Sequence, residues 1–228
     1  MRELTILCRQ AAYAVAVKPT GIISERGTAE KPGMADLLAE ALCEPVDSVF
    51  PVHRLDREVG GVMVYALNAK SAAFLTRAIG EHRFHKTYLA IVPGTPEPRE
   101  GQWTDLLYHD PRKNKTFTVQ RMRRGVREAA LNYRTAETVR IEGKTYSLLE
   151  IRLLTGRTHQ IRVQCASRGL PLPGDRRYGG EPADGIRLYA LRLTFPRPTD
   201  GKEETWTSPF PAGGLWDAFS ALRSNPEE

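Results

Sequence analysis

Apolar residues in this chain gather in short runs more often than they recur at helical spacing, which predicts a protein dominated by strands. Leu4 to Cys8, Tyr13 to Val17 and Gly61 to Leu67 are such runs, the last with the β-branched and apolar sequence VMVYAL. Turn residues punctuate them, notably KPTG at Lys18 to Gly21. Two stretches carry helical periodicity instead, Met34 to Leu42 and Ala69 to Ile79. The second follows Asn68, whose side-chain oxygen suits the unpaired N–H groups of a first helical turn. Strand-like runs resume at Thr87 to Val92, Lys115 to Val119, Leu131 to Val139 and Lys144 to Leu154, and EGK at Glu142 to Lys144 joins the last two as a hairpin turn. A third helix is predicted from Thr158, as N-cap, to Arg168. Gly169 takes the left-handed position after it, and Pro171 and Pro173 forbid continuation. The pattern predicts the α+β class: a large, mostly antiparallel mixed sheet flanked by helices, in one domain over residues 1–228, with SNPEE as a loose tail.

Composition narrows the partners. With 228 residues, 41% of them hydrophobic and 26% charged, the chain can bury a substantial core. Its net charge of +6 and pI near 9.3 favour a polyanion, either nucleic acid or an acidic membrane. Arg far outnumbers Lys among the 33 basic residues; its planar fork suits phosphates and bases, though the base composition of the coding sequence accounts for the preference equally well. Cys8, Cys43 and Cys165 stand far apart, so neither a disulfide framework nor a zinc site is expected. His82 and His85 lack a third ligand at metal spacing, and no metal is expected there. The start MRELTILCRQ has no apolar signal-peptide core, and no apolar run is long enough to cross a bilayer, so a cytoplasmic protein without a membrane partner is expected.

Four clusters look chemical. VHRLDREVGG at Val52 to Gly61 sets Asp56 among His53, Arg54 and Arg57 and ends in paired glycines, which permit a close approach of backbone to backbone or to a substrate. A surface turn whose Asp pairs with neighbouring arginines explains that pattern as well. TGRTHQIR at Thr155 to Arg162 crowds polar groups at the start of an apolar helix, where Arg162 needs an anionic partner; Asp56 is the candidate. FHKTYLAIV at Phe84 to Val92 puts Lys86 and Tyr88 on one face of a strand, where a tyrosine stacks on a base or packs in a core. PGDRRYGG at Pro173 to Gly180 is a basic, glycine-bounded loop. Beyond these, residues 111–127 hold Arg112, Lys113, Lys115, Arg121, Arg123, Arg124 and Arg127 without one acidic residue, a repulsion that a polyanion would relieve.

Taken together and in order, KPTG, HRLD, KTYLAIV, GRTHQIR and PGDRRYGG resemble the motifs of the RluA family of pseudouridine synthases across nearly the whole chain. The resemblance implies the pseudouridine synthase fold and isomerisation of a uridine in ribosomal or transfer RNA, without cofactor or metal. It makes Asp56 the catalytic carboxylate, Arg162 its charge partner and Tyr88 the aromatic that stacks on the target base. Arg54, which would displace the target nucleotide, joins His53, Lys86 and Arg157 as substrate-binding residues. The family commonly has Thr-Ser-Gly where Val59, Gly60 and Gly61 stand, and His at Gln164, so contacts beside the nucleophile differ. No S4 RNA-binding domain is recognisable, and a monomer is expected. The competing readings are an inactive RNA-binding protein of the same fold and a hydrolase using Asp56 with His53 or His159, but no serine or cysteine nucleophile sits in a triad setting.

Overall fold

The structure, a computed structural model, describes residues 4–221; the SNPEE tail lies outside the described residues. In chain order the strands are β1 (Ile6–Arg9), β2 (Tyr13–Lys18), β3 (Phe50–Pro51), β4 (Gly60–Ala66), β5 (His85–Pro93), β6 (Glu100–Asp110), β7 (Lys115–Val119), β8 (Val126–Ile141), β9 (Lys144–Leu153), β10 (Leu188–Pro196) and β11 (Glu203–Thr207). The helices are α1 (Met34–Leu42), α2 (Ala69–Gly80) and α3 (Gln160–Ala166), with short 3-10 turns at Val46–Ser48 and Gly214–Ala218. The described residues form two compact units, one within 1–86 and 190–209, the other within 87–189 and 210–221.

In the first unit β1, β2, β4 and β10 are consecutive neighbours, with β3 on β4 and β11 on β10. The β2–β4 pairing is antiparallel and sets Val15 opposite Val64 and Lys18 opposite Gly61. One face of this sheet carries Tyr13, Val15, Val62, Val64, Leu193 and Phe195, which pack with Leu75 of α2 and Phe84 into one buried cluster. Their removal from water is the main stabilising term here, roughly 1.5–3 kcal/mol for each large side chain fully buried. Helix α1 buries Met34, Ala35, Leu38, Ala39 and Leu42, the stripe expected from its 3.6-residue period. At its start the Asp36 carboxylate accepts the N–H groups of Gly33 at 2.8 Å and Gly27 at 2.7 Å. Asn68 caps α2 by accepting the Ser71 N–H at 2.9 Å, as its sequence position predicts.

In the second unit the strand order is β5, β9, β8, β6 and β7, and the β9–β8, β8–β6 and β6–β7 pairings are antiparallel. The EGK turn closes the β8–β9 hairpin with both Glu142 and Gly143 at positive φ. Strands β6 and β11 carry sequence patterns too polar to show as strands: of β6's eleven residues only Trp103 and Leu107 are buried. Pairing with longer neighbours imposes their conformation.

The third helix departs from expectation. It begins at Gln160 rather than Thr158, because His159 takes a left-handed conformation with φ of 54° and the preceding turn is already committed. The Gln160 side-chain oxygen accepts the Thr155 hydroxyl at 2.8 Å and the Arg157 N–H at 3.0 Å, while the Thr158 carbonyl accepts the Thr116 hydroxyl at 2.8 Å. Gly169 does take the left-handed position, with φ of 72°. No helix among the described residues is long and apolar enough to cross a membrane.

Candidate functional site

In the first unit the loop joining β3 to β4 carries His53, Arg54 and Asp56. Two buried side chains, of Ser24 and Lys18, and the main chain of Gly21 hold it. Ser24, itself buried, accepts the Leu55 N–H at 2.9 Å and donates its hydroxyl to the Leu55 carbonyl at 3.0 Å. The Arg57 carbonyl accepts the Gly21 N–H at 2.8 Å and one proton of the Lys18 ammonium at 3.2 Å. Lys18 also donates to the carbonyls of Pro19 at 2.9 Å and Ile22 at 2.6 Å, so the KPTG turn and the HRLD loop are tied through one nitrogen. The residues on either side of Asp56 are therefore pinned, and the Asp56 carbonyl accepts the Val59 N–H at 3.0 Å to close the turn.

Lys18 is fully buried, and burial brings its pKa down to about 8 against the opposing pull of the Asp56 carboxylate and, less strongly, of Glu58 and Glu25. A buried lysine with three carbonyl acceptors and a carboxylate's field nearby is an arrangement that local pattern did not expose. KPTG was legible as a turn, but not as the clamp beneath the loop.

His53 lies with its ring in the core rather than on the surface. Its Nε2 accepts the Val64 N–H at 3.2 Å, and the ring stands 5.2 Å from that of Phe84. Burial, aided by the Lys86 ammonium, holds its pKa well below the usual histidine value, so it is neutral and carries its proton on Nδ1. Lys86 itself stands 5.4 Å from the Phe84 ring centre, its pKa lowered by burial to about 8. Arg54, by contrast, is exposed and reaches Glu25 at 3.1 Å.

The paired glycines answer to geometry. Gly61 has φ of 123°, and a Cβ there would overlap the main chain of Ala190 in β10. A side chain would push β4 off its neighbour.

In the second unit Tyr88 is buried in β5, two residues along that strand from Lys86. Arg162 is buried in α3 and meets Asp175 in a fork of two bonds, Nε to Oδ2 at 2.7 Å and Nη2 to Oδ1 at 2.8 Å. Asp175, thirteen residues along the chain, is thus an anion that meets the need of this buried cation, and sequence reasoning gave it no role. The signal was present as an acid among the turn glycines of PGDRRYGG. In that loop a Cβ on Gly174, at φ of 82°, would overlap the main chain of Gly185, so glycine is required where the chain doubles back.

Tyr178, from the same loop, lies under the Arg162 guanidinium at 5.3 Å and exchanges a hydrogen bond with His159 Nδ1 at 2.9 Å. Its oxygen also accepts the Thr116 N–H at 2.8 Å. Arg157 is exposed and donates to the Glu128 carbonyl at 2.9 Å. Gln164 donates to Asp105 at 2.7 Å, a carboxylate it shares with Arg168.

Within single units, then, the structure sets Lys18 within the field of Asp56 and His53 within that of Lys86, and it joins Arg162 to Asp175 and Tyr178, the last of which also meets His159.

A family model described as RNA pseudouridylate synthase matches residues 12–167. The chain is 33% identical over 195 residues to a protein named RNA pseudouridine synthase from Haemophilus influenzae, covering 85% of this chain and 82% of that one. A protein so named from Mycobacterium tuberculosis is 35% identical over 179 residues, 75% of this chain but only 56% of the relative, so the chain spans little more than half that protein's length. Among solved structures, human RNA pseudouridylate synthase domain containing 1 shares the fold, with a TM-score of 0.75 at 23% identity over 91% of this chain and 84% of that one.

Proposed function

The chain belongs to the RNA pseudouridylate synthase family, a family of isomerases, and from that premise we propose that it converts specific uridines of structured ribosomal or transfer RNA to pseudouridine, with Asp56 as the catalytic carboxylate. The observation that carries this reading is the setting of Asp56. It sits on a turn whose flanking residues are fixed by Ser24 and Lys18, so its side chain is delivered at a defined position rather than on a mobile loop.

The reaction breaks the bond between N1 of the base and C1′ of the sugar, turns the base, and forms a C5–C1′ bond, after which C5 loses its proton and N1 gains one. The composition of the nucleotide is unchanged, the hydrogen lost from C5 being balanced by the proton gained at N1. Attack on C1′, addition to C6, or removal of a sugar proton towards a glycal all start from an ionised Asp56. Arg162 is its charge partner, held ready by the Asp175 fork, and Tyr88 stacks on the base during rotation. A uridine inside a helix hides these atoms, so it is flipped out or taken from a loop at a cost of roughly a few kcal/mol. Arg54, Lys86 and Arg157 offset that cost through contacts to the nucleotide, and His53 supports the loop from behind. We place this activity in a monomer acting on cytoplasmic RNA.

The test is tritium release from RNA labelled at C5 of uridine, since that hydrogen leaves when C5 bonds the sugar. The native protein is expected to release it and Asp56→Asn to fall by about a thousandfold or more while binding RNA within a small factor of native. Tight binding by both proteins with release by neither would replace this reading with that of an inactive RNA-binding protein.

A further inference from the structure

Met122 is the most exposed of the large apolar side chains among the described residues, with 61% of its surface open. It stands in the turn of residues 120–125 joining β7 to β8, where every residue is exposed and Arg121, Arg123 and Arg124 surround it. A single water-facing methionine is ordinary, but this one shares a short turn with three cations, none of which has a carboxylate within ion-pair distance among the described residues.

The turn is nonetheless built. The Arg123 guanidinium lies 5.2 Å from the ring centre of Tyr108 in β6, and the Arg123 carbonyl accepts the Val126 N–H at 3.0 Å. One arginine is thus spent on anchoring, and Arg121 and Arg124 flank an apolar tip on a fixed base. A flexible unbranched side chain between two cations has the chemistry of a wedge: it slides between or against unstacked bases while the cations meet the phosphates on either side. An acidic protein surface would meet the same arginines, but RNA is the polyanion that the proposed reaction already brings to this protein.

We propose that residues 120–125 form an RNA-inserting wedge, with Met122 against unstacked bases and Arg121 and Arg124 on the flanking phosphates. The proposal rests on the RNA-modifying reading above and deepens it, naming a surface through which the RNA is opened.

The two chemistries separate in one titration. A fluorescein-labelled RNA stem-loop with a uridine in its loop is bound to the full-length native protein, Met122→Ala, Met122→Leu and the double variant Arg121→Ala/Arg124→Ala over a range of salt, with melting temperatures as folding controls. Met122→Ala is expected to weaken binding about fivefold or more with an unchanged salt slope, and Met122→Leu to restore most of it. The double variant is expected to lower the slope of log affinity against log salt by about 1.4–1.8, the value for two lost phosphate contacts. Native-like binding by Met122→Ala, or an unchanged slope in the double variant, overturns the wedge while leaving the isomerase reading intact. If the native protein neither binds this RNA nor releases tritium from C5-labelled ribosomal or transfer RNA, both readings fall together.

Discussion

The Asp56 loop and the Arg162 helix solve the same problem, holding a charged side chain in place, by opposite means. Asp56 is aimed through bonds to the main chain of its neighbours: Ser24 fastens Leu55, and Lys18 and Gly21 fasten Arg57. Arg162 is aimed through its own guanidinium, gripped by a buried carboxylate and floored by a tyrosine ring. The difference follows from chemistry. A guanidinium has five donors and can give two to a fixing partner while retaining others, whereas a carboxylate meant to react is best positioned by its backbone.

Breaking the second arrangement should be the more costly. Asp175→Ala leaves a buried guanidinium without the partner that meets it twice, and Arg162→Ala strands Asp175 in the same way, so each is expected to lose about 3–5 kcal/mol of folding stability in denaturant unfolding. Equal stability of either variant and native protein would mean that water replaces the partner and that the fork is no anchor. Gly61→Ala comes next. With no room for a Cβ against Ala190, the expected loss is about 2–3 kcal/mol, seen as a lower melting temperature.

Lys18→Met tests the first arrangement directly. It leaves three carbonyls short of a donor and is expected to cost about 1–3 kcal/mol, with a fall in turnover larger than any change in RNA affinity. The pH dependence sharpens this. The folded pKa of Lys18 is lowered to about 8 from an ordinary 10.5, so between these values the unfolded chain binds the extra proton and native stability rises with pH. The advantage of native protein over Lys18→Met is therefore expected to grow from pH 8 towards 10.5 by up to about 3 kcal/mol, and a flat difference would place the ammonium in water. The smallest effect belongs to Arg54→Ala, whose exposed pair with Glu25 is worth under about 1 kcal/mol; its melting temperature should hardly move while RNA binding weakens.

The local periodicity of the sequence was enough to place Met34–Leu42 and Lys115–Val119 at both ends, and Asn68 to start α2, because amphipathic spacing and capping chemistry act within a few residues. The same local logic missed β6 and β11, whose polar faces carry no such period, left the apolar run of β10 unassigned, and began α3 at Thr158, where interlocked side chains and a left-handed His159 override propensity.

The candidate site divides along the same line. The amino-acid sequence alone determined which residue types stand in which order, and hence that Asp56, Tyr88 and Arg162 are the groups to examine and that a polyanion is the partner to expect. It also required Arg162 to find an anion if buried, since an unpaired charge cannot be sustained away from water. Only the tertiary structure decided that Asp175 meets this need, that Lys18 lies beneath the Asp56 loop with its ammonium divided among three carbonyls, and that His53 faces the core. Those pairings join residues up to 39 positions apart, and chain spacing carries no information on which distant donors and acceptors folding will bring within hydrogen-bonding distance of one another.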